Sequence, residues 1–154
     1  MKKTLLIAML MVSSSVFAAS TGTLTLTGTV VPVNDIVINL IDPSVNITAG
    51  VSGKLVATVS ETSNNLAGYR IRMKSVNASR LIHASDSTKL TAYTVSYDGR
   101  PAVSLTATDQ DVKPAEALPG LTTDTSNINV NVTAYPLAPA GVYSDTITIS
   151  IVAN

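Results

Sequence analysis

The sequence predicts an all-β fold, a sandwich of short antiparallel strands, and three observations support this prediction. After residue 18, Val, Ile and Thr supply 45 of the remaining 154 − 18 = 136 residues, and β-branched side chains suit pleated strands. Glu, which favours helix surfaces, occurs only at Glu61 and Glu116. Apolar and polar residues alternate along most of the chain, and turn-forming residues separate these runs.

The first 18 residues have the pattern of a secretory signal peptide. Lys2 and Lys3 give a positive start, residues 5–12 are apolar, and small residues precede a cleavage site after Ala18. The apolar stretch is shorter than the roughly 20 residues that a bilayer span needs. We therefore expect residues 1–18 to be removed and the rest of the chain to be exported.

The alternating runs predict seven or eight strands in the chain after residue 18. Along Thr23 to Val30 every second residue is Thr, and the other face consists of Leu24, Leu26, Gly28 and Val30. Each later run also has an apolar face of its own. Run by run, the residues that share this face are Ile36, Ile38 and Leu40; Leu55, Ala57 and Val59; Tyr69, Ile71 and Met73; Val95 and Tyr97; Ile128, Val130, Val132 and Ala134; and Ile147, Ile149 and Ile151. Residues 108–126, which contain two prolines, are predicted to form one long loop. This number and spacing of strands predict a sandwich of the immunoglobulin type.

Charge and cysteine content limit the classes of partner. Removal of residues 1–18 leaves 10 − 2 = 8 Lys and Arg against 10 Asp and Glu, so there is no electrostatic basis for binding nucleic acid. The chain has no Cys, although small exported domains often depend on disulfides. Packing, a ligand or a partner chain must stabilise the fold instead.

At one end of the exported chain is a strand that needs a neighbouring strand, and at the other end is a strand that could serve as that neighbour. The final strand, Tyr143 to Asn154, would be an aggregation template if its alternating Ile edge were left bare. Pro32 follows the first run directly, and proline removes a backbone donor and favours an extended, hinged junction. We therefore predict that residues 19–32 are a detachable strand and that residues 33–154 are the domain. If each detachable strand completed the sheet of the next chain, the head-to-tail contact would not close and would produce a filament.

Four segments resemble the pilins of the bacterial chaperone-usher pathway. Residues 22–31, GTLTLTGTVV, look like the N-terminal donor strand of such subunits. Residues 140–151, AGVYSDTITISI, are similar to the terminal strand of spore-coat-U-like fimbrial subunits and cysteine-free capsular fimbrial antigens. Residues 65–69, NLAGY, and 93–99, YTVSYDG, also resemble the spore-coat-U-like pattern. The chain departs from many pilins in having no disulfide and in having Ala153, not an aromatic residue, next to last.

The resemblance implies an incomplete immunoglobulin-like sandwich whose missing strand comes from another chain. A periplasmic chaperone would lend a strand first, and at the outer-membrane usher the N-terminal strand of the next subunit would replace it. The donor side of that strand, inserted into a neighbouring subunit, would be Leu24, Leu26, Gly28 and Val30. The acceptor groove would be lined in part by Ile147, Ile149 and Ile151.

The function implied by the resemblance is that of a structural subunit of a fimbrium. Its partners would be neighbouring pilin subunits in a homopolymer, the chaperone, the usher, and a host or surface receptor through which the fibre contributes to adhesion. The chain would pass through the periplasm to the cell surface. Two alternatives stay open: a single-domain adhesive or minor fimbrial subunit, and a self-contained exported immunoglobulin-like binding domain that forms no polymer.

No enzyme, cofactor or metal site is predicted. His83 is the one histidine, no nucleophile motif is present, and a transition-metal site would need more imidazole or thiol ligands. Asp109 and Asp111 lack the Gly and the later Glu of a calcium-binding loop, so a polar loop is expected there. Arg70, Arg72 and Lys74 form a basic stripe on the outward face of one strand. The stripe is expected either to aid solubility or to contact a ligand or another subunit.

Overall fold

The computed structural model describes residues 21–154, so the predicted signal peptide and residues 19 and 20 lie outside the described residues. The described chain divides into a segment, residues 21–30, and a body, residues 31–154. The segment contains no strand or helix, and its apolar side chains are exposed, with Leu24 and Leu26 each 86% accessible. Within residues 21–154, therefore, the alternating run has no hydrogen-bonded neighbour of the kind that a β-strand requires.

The body is all-β, which confirms the predicted fold class. Its strands are β1 (Asn34–Leu40), β2 (Val51–Ser63), β3 (Tyr69–Ser75), β4 (Arg80–His83), β5 (Asp86–Tyr97), β6 (Gln110–Lys113), β7 (Thr122–Val132), β8 (Tyr143–Ser144) and β9 (Ile147–Ala153). Residues 21–154 contain no helix that is long and apolar enough to cross a membrane.

Two antiparallel sheets enclose the core as an immunoglobulin-like sandwich. One sheet has six strands in the order β1-β2-β7-β5-β4-β8, and the other has three in the order β6-β3-β9. Alternate residues of the central strands face inward, as the sequence pattern predicts. The buried apolar core is formed by Ala57, Val59, Tyr69, Ile71, Met73, Tyr93, Val95, Tyr97, Leu105, Ile128, Val130 and Val132.

The prediction of one long loop over residues 108–126 is wrong. Strand β6 lies within it and pairs with β3, and β7 begins at Thr122. Carboxylates of this segment meet the basic stripe on β3: Asp111 lies 3.0 Å from Arg72 and 3.5 Å from Arg70. Lys74 lies 3.6 Å from Asp109. Local propensity gives no sign of β6, because the contacts that hold it come from a strand about 40 residues earlier in the chain.

The two sheets end, on one side of the sandwich, in the edge strands β1 and β9, which run in opposite directions. Asn34, at the start of β1, pairs with Ser63, and close by Asn65 donates a hydrogen bond to the carbonyl of Asn154 at 3.0 Å. We call this end of the body, where β1 begins and β9 ends, the linker pole. We call the opposite end, where β1 and β7 end and β9 begins, the groove pole.

Asn64 fixes the chain at the point where the body begins. Its side-chain amide donates to the carbonyl of Val31 at 2.8 Å, and its side-chain carbonyl accepts from the backbone N–H of Val33 at 2.8 Å. The backbone N–H of Asn64 donates to the carbonyl of Val33 at 3.2 Å. Pro32, predicted to form a hinged junction, therefore lies between two residues that Asn64 holds to the body.

A buried ionic cluster joins the two sheets. Glu61 on β2 is 0% exposed and accepts hydrogen bonds from the Lys113 ammonium and the Tyr69 hydroxyl, each at 2.6 Å, and from the Tyr97 hydroxyl. Burial acts to raise the pKa of Glu61, but these three donors act more strongly and hold the pKa below its ordinary value of 4.5. Because β3 and β6 carry two of the donors, the cluster connects the three-stranded sheet to the six-stranded sheet in a chain without disulfides.

Replacement of Lys113 tests how much this cluster contributes to stability. Lys113→Met leaves the buried Glu61 carboxylate without its cation, so we expect the free energy of unfolding to fall by about 3–5 kcal/mol. Lys74→Met is the matched control, because Lys74 is 41% exposed and lies 3.6 Å from Asp109, and its loss should cost about 0–1 kcal/mol. Denaturant unfolding measures both values. Equal losses would show that the buried cluster stabilises the fold no more than an exposed ion pair does.

The lowered pKa of Glu61 also predicts a pH dependence. On acidification the unfolded chain binds a proton near the ordinary pKa of 4.5, before the folded chain does, so folding loses stability as the pH falls. Glu61→Gln cannot titrate at this position. The stability advantage of the wild type over Glu61→Gln should therefore be full above pH 4.5 and shrink as the pH falls through the folded pKa of Glu61. Denaturant melts of both proteins across this range measure the gap, and a gap that widened in acid would show the opposite linkage.

Candidate functional site: an open groove between two edge strands

An apolar groove of about 340 Å³ lies between β1 and β9. Ile38 and Leu40 contribute from β1, and Ile147 and Ile149 contribute from β9. The deeper wall consists of core side chains from both sheets, among them Val56, Met73, Leu81, Tyr93, Ile128, Val130 and Val132. The groove thus exposes part of the core along the side of the sandwich where the two sheets end.

The β1 side of the groove is unusually exposed for apolar side chains. The alternation along β1 places Ile38 and Leu40 on the same face. Leu40 is 71% exposed and Ile38 is 44% exposed. A contiguous exposed apolar surface of this kind is typical of a binding site.

The backbone along both sides of the groove also lacks partners. Within residues 21–154, β1 pairs only with β2, and β9 pairs only with β3. The outward N–H and C=O groups of these two seven-residue strands are therefore available for a further strand. Apolar walls between two unpaired strand edges are what an extended peptide with alternating apolar side chains requires.

The predicted acceptor residues are brought together on β9, but they do not contribute equally. Ile147 and Ile149 line the groove. Ile151, nearer the linker pole, packs against the core and does not line the groove. The β1 residues Ile38 and Leu40 were not predicted as acceptor residues, although their shared face was visible in the sequence.

The predicted donor residues all belong to the exposed segment 21–30. Val30 is 82% exposed, similar to Leu24 and Leu26. A Cβ added at Gly28 would meet no atom within 4 Å. Among residues 21–154, therefore, no close contact requires glycine at position 28.

Asp145 anchors the start of β9 beside the groove. Its carboxylate accepts hydrogen bonds from Ser75 Oγ at 2.5 Å and from the Tyr93 hydroxyl at 2.7 Å. It also accepts from the backbone N–H groups of Asn77 at 3.0 Å and Thr146 at 2.7 Å. Burial and this neighbouring carboxylate raise the pKa of Tyr93 well above its usual value, so the hydroxyl remains a donor.

The role of Asp145 was missed at the level of sequence. The residue lies in the segment AGVYSD that resembles pilin terminal strands, but Ser75 and Tyr93 are 70 and 52 residues away. Their convergence depends on the pairing of the sheets. Since Asp145 and Tyr93 both line the groove, this network holds the walls of the groove in place at the groove pole.

His83 has a packing role in the structure. Its Nε2–H donates to the carbonyl of Ala140 at 3.1 Å, and its Nδ1 accepts from the backbone N–H of Ser85 at 3.1 Å. The ring meets Tyr143 edge-on at 5.0 Å, and a Cβ at Gly141 would lie 2.0 Å from Nε2. Among residues 21–154, no group of three or more His, Asp or Glu side chains could hold a metal ion.

The anchoring role of Asp145 can be tested by truncation. Asp145→Ala leaves several donors without their charged acceptor, so the free energy of unfolding should fall by about 1.5–3 kcal/mol. Asp109→Ala is the control, because Asp109 is 38% exposed in an ion pair of 3.6 Å, and its removal should cost about 0–1 kcal/mol. Chemical denaturation of the two variants measures both losses. If the two variants were equally stable, Asp145 would not be an anchor.

Comparisons with known proteins do not assign the chain to a family. A scan against protein-family models finds no match, and a search of curated protein sequences finds no similar protein. The function must therefore be argued from the groove, from the exposed segment, and from the resemblance of the sequence to pilins.

Proposed function

We propose that this protein is a structural subunit of a bacterial surface fibre that polymerises by strand exchange. In this proposal the exposed segment of one subunit occupies the groove of the next and completes its sandwich. One observation carries the proposal: an apolar groove between two unpaired edge strands occurs in the same chain as an exposed segment of alternating apolar residues. The apolar side of the segment and the apolar walls of the groove are chemically complementary.

The free energy available from insertion is large for a domain of this size. Burial of Leu24, Leu26 and Val30 at about 1.5–3 kcal/mol each gives roughly 5–9 kcal/mol before backbone pairing is counted. Insertion would also cover Leu40, which is 71% exposed in the isolated body. The whole stability of a typical domain is about 5–15 kcal/mol, so insertion would contribute a major part of the stability of each subunit.

The start of the body argues against a subunit that fills its own groove. To run beside β1, the segment would have to reverse direction between Val30 and Asn34. Tight hairpins of this kind favour Asn and Gly at positions of positive φ, whereas this stretch is Val31, Pro32 and Val33. Asn64 also holds Val31 and Val33 in place. The groove of a second subunit is the better acceptor, and a contact of this head-to-tail kind extends into a filament.

The resemblance to chaperone-usher pilins supplies the remainder of the proposal. A periplasmic chaperone would occupy the groove first, the outer-membrane usher would catalyse its replacement by the next subunit, and the fibre would contribute to adhesion at the cell surface. The exchange itself makes and breaks only non-covalent contacts, so it needs no catalytic residue or cofactor in this chain. A self-contained binding domain could use the groove for a ligand, but it would not account for the exposed segment of alternating apolar residues.

A charge placed on the apolar side of the donor segment should prevent assembly. Leu26→Asp would have to bury a carboxylate without a partner, which costs several kcal/mol, so the full exported chain should remain monomeric. Thr25→Asp adds the same charge one residue away, on the opposite face of the segment, and should still form oligomers. Size-exclusion chromatography with light scattering measures both distributions. Normal assembly of Leu26→Asp would contradict the proposal.

A matched pair of acceptor variants tests the groove. Leu40→Asp places a charge in the groove at a side chain that is already 71% exposed, so the body should fold while assembly fails. Asn39→Asp, on the alternate face of β1, is the control and should assemble. Mixed with each other, Leu26→Asp and Leu40→Asp should give dimers and no larger species, because one variant has only a working groove and the other only a working donor. Long oligomers from this mixture would show that a different contact drives assembly.

A further inference from the structure

The strongly exposed apolar side chains of the body are concentrated at its two poles. Seven large apolar side chains in residues 31–154 are at least 66% exposed, and one of them, Leu40, lines the groove. Three lie at the linker pole: Val31, Leu66 and Leu121. Three lie at the groove pole: Val76, Leu137 and Val142.

Strand pairing and backbone hydrogen bonds show at which pole each of these residues lies. At the linker pole, Leu121 precedes Thr122, which pairs with Ser63, and the carbonyl of Leu66 accepts from the N–H of Leu118. At the groove pole, Val76 follows the last residue of β3 and donates to the carbonyl of Thr146 at 3.0 Å.

The other two groove-pole residues lie in the chain between β7 and β9. Leu137 follows Tyr135, whose N–H donates to the carbonyl of Ile47 at 2.8 Å. The carbonyl of Val142 accepts from the N–H of Ala84 at 2.8 Å. Val76, Leu137 and Val142 therefore all lie at the groove pole, the end of the body where β3 and β7 end and β9 begins.

The flank of the three-stranded sheet has a different surface. Its outward side chains on β3 are Arg70, Arg72 and Lys74, and they form ion pairs with Asp109 and Asp111. Such a surface is suited to water. The contrast between charged flank and apolar poles indicates contacts at the ends of the body.

The link between the exposed segment, residues 21–30, and the body is short, so insertion of the segment brings two subunits close together. Val30 is the last donor residue, and Val31 is already held to the body by Asn64. Successive Cα atoms are only about 3.8 Å apart. Full insertion of the donor strand therefore brings the linker pole of one subunit close to the subunit that accepts the strand, near enough for an apolar contact to form.

The direction of insertion determines which poles meet. All strand pairs of the body are antiparallel, and a donor strand antiparallel to β9 would leave the acceptor at its groove pole. The opposite direction would bring the donor's end out at the acceptor's linker pole, where the acceptor's own segment must also leave. Antiparallel pairing with β9 is therefore the direction that allows a chain of subunits to continue.

We propose that the linker pole of each subunit packs on the groove pole of the next, in a body-to-body contact additional to strand exchange. The partner surface is a second copy of this chain, with Val31, Leu66 and Leu121 of one subunit facing Val76, Leu137 and Val142 of its neighbour. This inference rests on the proposed function. The contact makes the fibre a stack of touching bodies that resist bending, where strand exchange alone would leave them flexibly joined.

The test uses the absence of cysteine from the chain. Single-cysteine variants of the full exported chain, Leu66→Cys and Leu137→Cys, are allowed to assemble, and the rate of maleimide labelling is measured in the separated oligomers. The control is Asn127→Cys, on the exposed face of β7 in the middle of the six-stranded sheet. A second set carries Leu26→Asp as well and stays monomeric.

The proposal predicts slow labelling at both poles in oligomers only. Labelling at positions 66 and 137 should be about tenfold slower than in the matching monomer, since a contact favoured tenfold leaves the thiol free for about a tenth of the time. Position 127 should be labelled equally in both. Oligomers that form but show no protection at the poles would overturn the contact and leave the strand-exchange proposal standing. A chain that forms no oligomers with its donor segment intact would overturn both.

Discussion

Within residues 21–154, the outer edges of β1 and β9 have no partner strand, and the rest of this structure depends on that feature. A sandwich buries its core only if the sheets cover it on every side, and here the two sheets end on either side of a gap. The apolar groove and the exposure of Leu40 both follow from that gap. The strand exchange proposed above would complete this core and would pair the segment, which has no strand partner within residues 21–154.

The open groove requires walls that keep their shape without the missing strand. Two polar networks supply them in place of disulfides. Glu61 and Lys113 connect the two sheets through the core, and Asp145 ties the start of β9 to Ser75 and Tyr93 beside the groove. Buried charges are costly unless fully paired, but once paired they hold their neighbours in one geometry. The body can therefore keep a defined groove between β1 and β9.

Sequence periodicity predicted the parts of the fold that depend on local alternation. The inward faces of Tyr69 to Met73 and Ile128 to Val132 are buried as the pattern indicated, and Ile147 and Ile149 line the groove. It could not predict β6, which is held by ion pairs to β3, or the partners of Glu61 and Asp145, because those contacts join residues far apart in the chain. The alternation of residues 23–30 predicts a strand, but a strand exists only beside a partner.

The central claim is that residues 19–30 are a strand missing from residues 31–154, and one thermal melt tests it most directly. The body, residues 31–154, would be melted alone and with a synthetic peptide of residues 19–30, with a peptide carrying Leu26→Asp as control. The account predicts that the body alone melts at low temperature and that the wild-type peptide, but not the control, raises the melting temperature sharply. A body that melts cooperatively at the same temperature with either peptide or none would contradict the account, because its sandwich would then be complete without the segment.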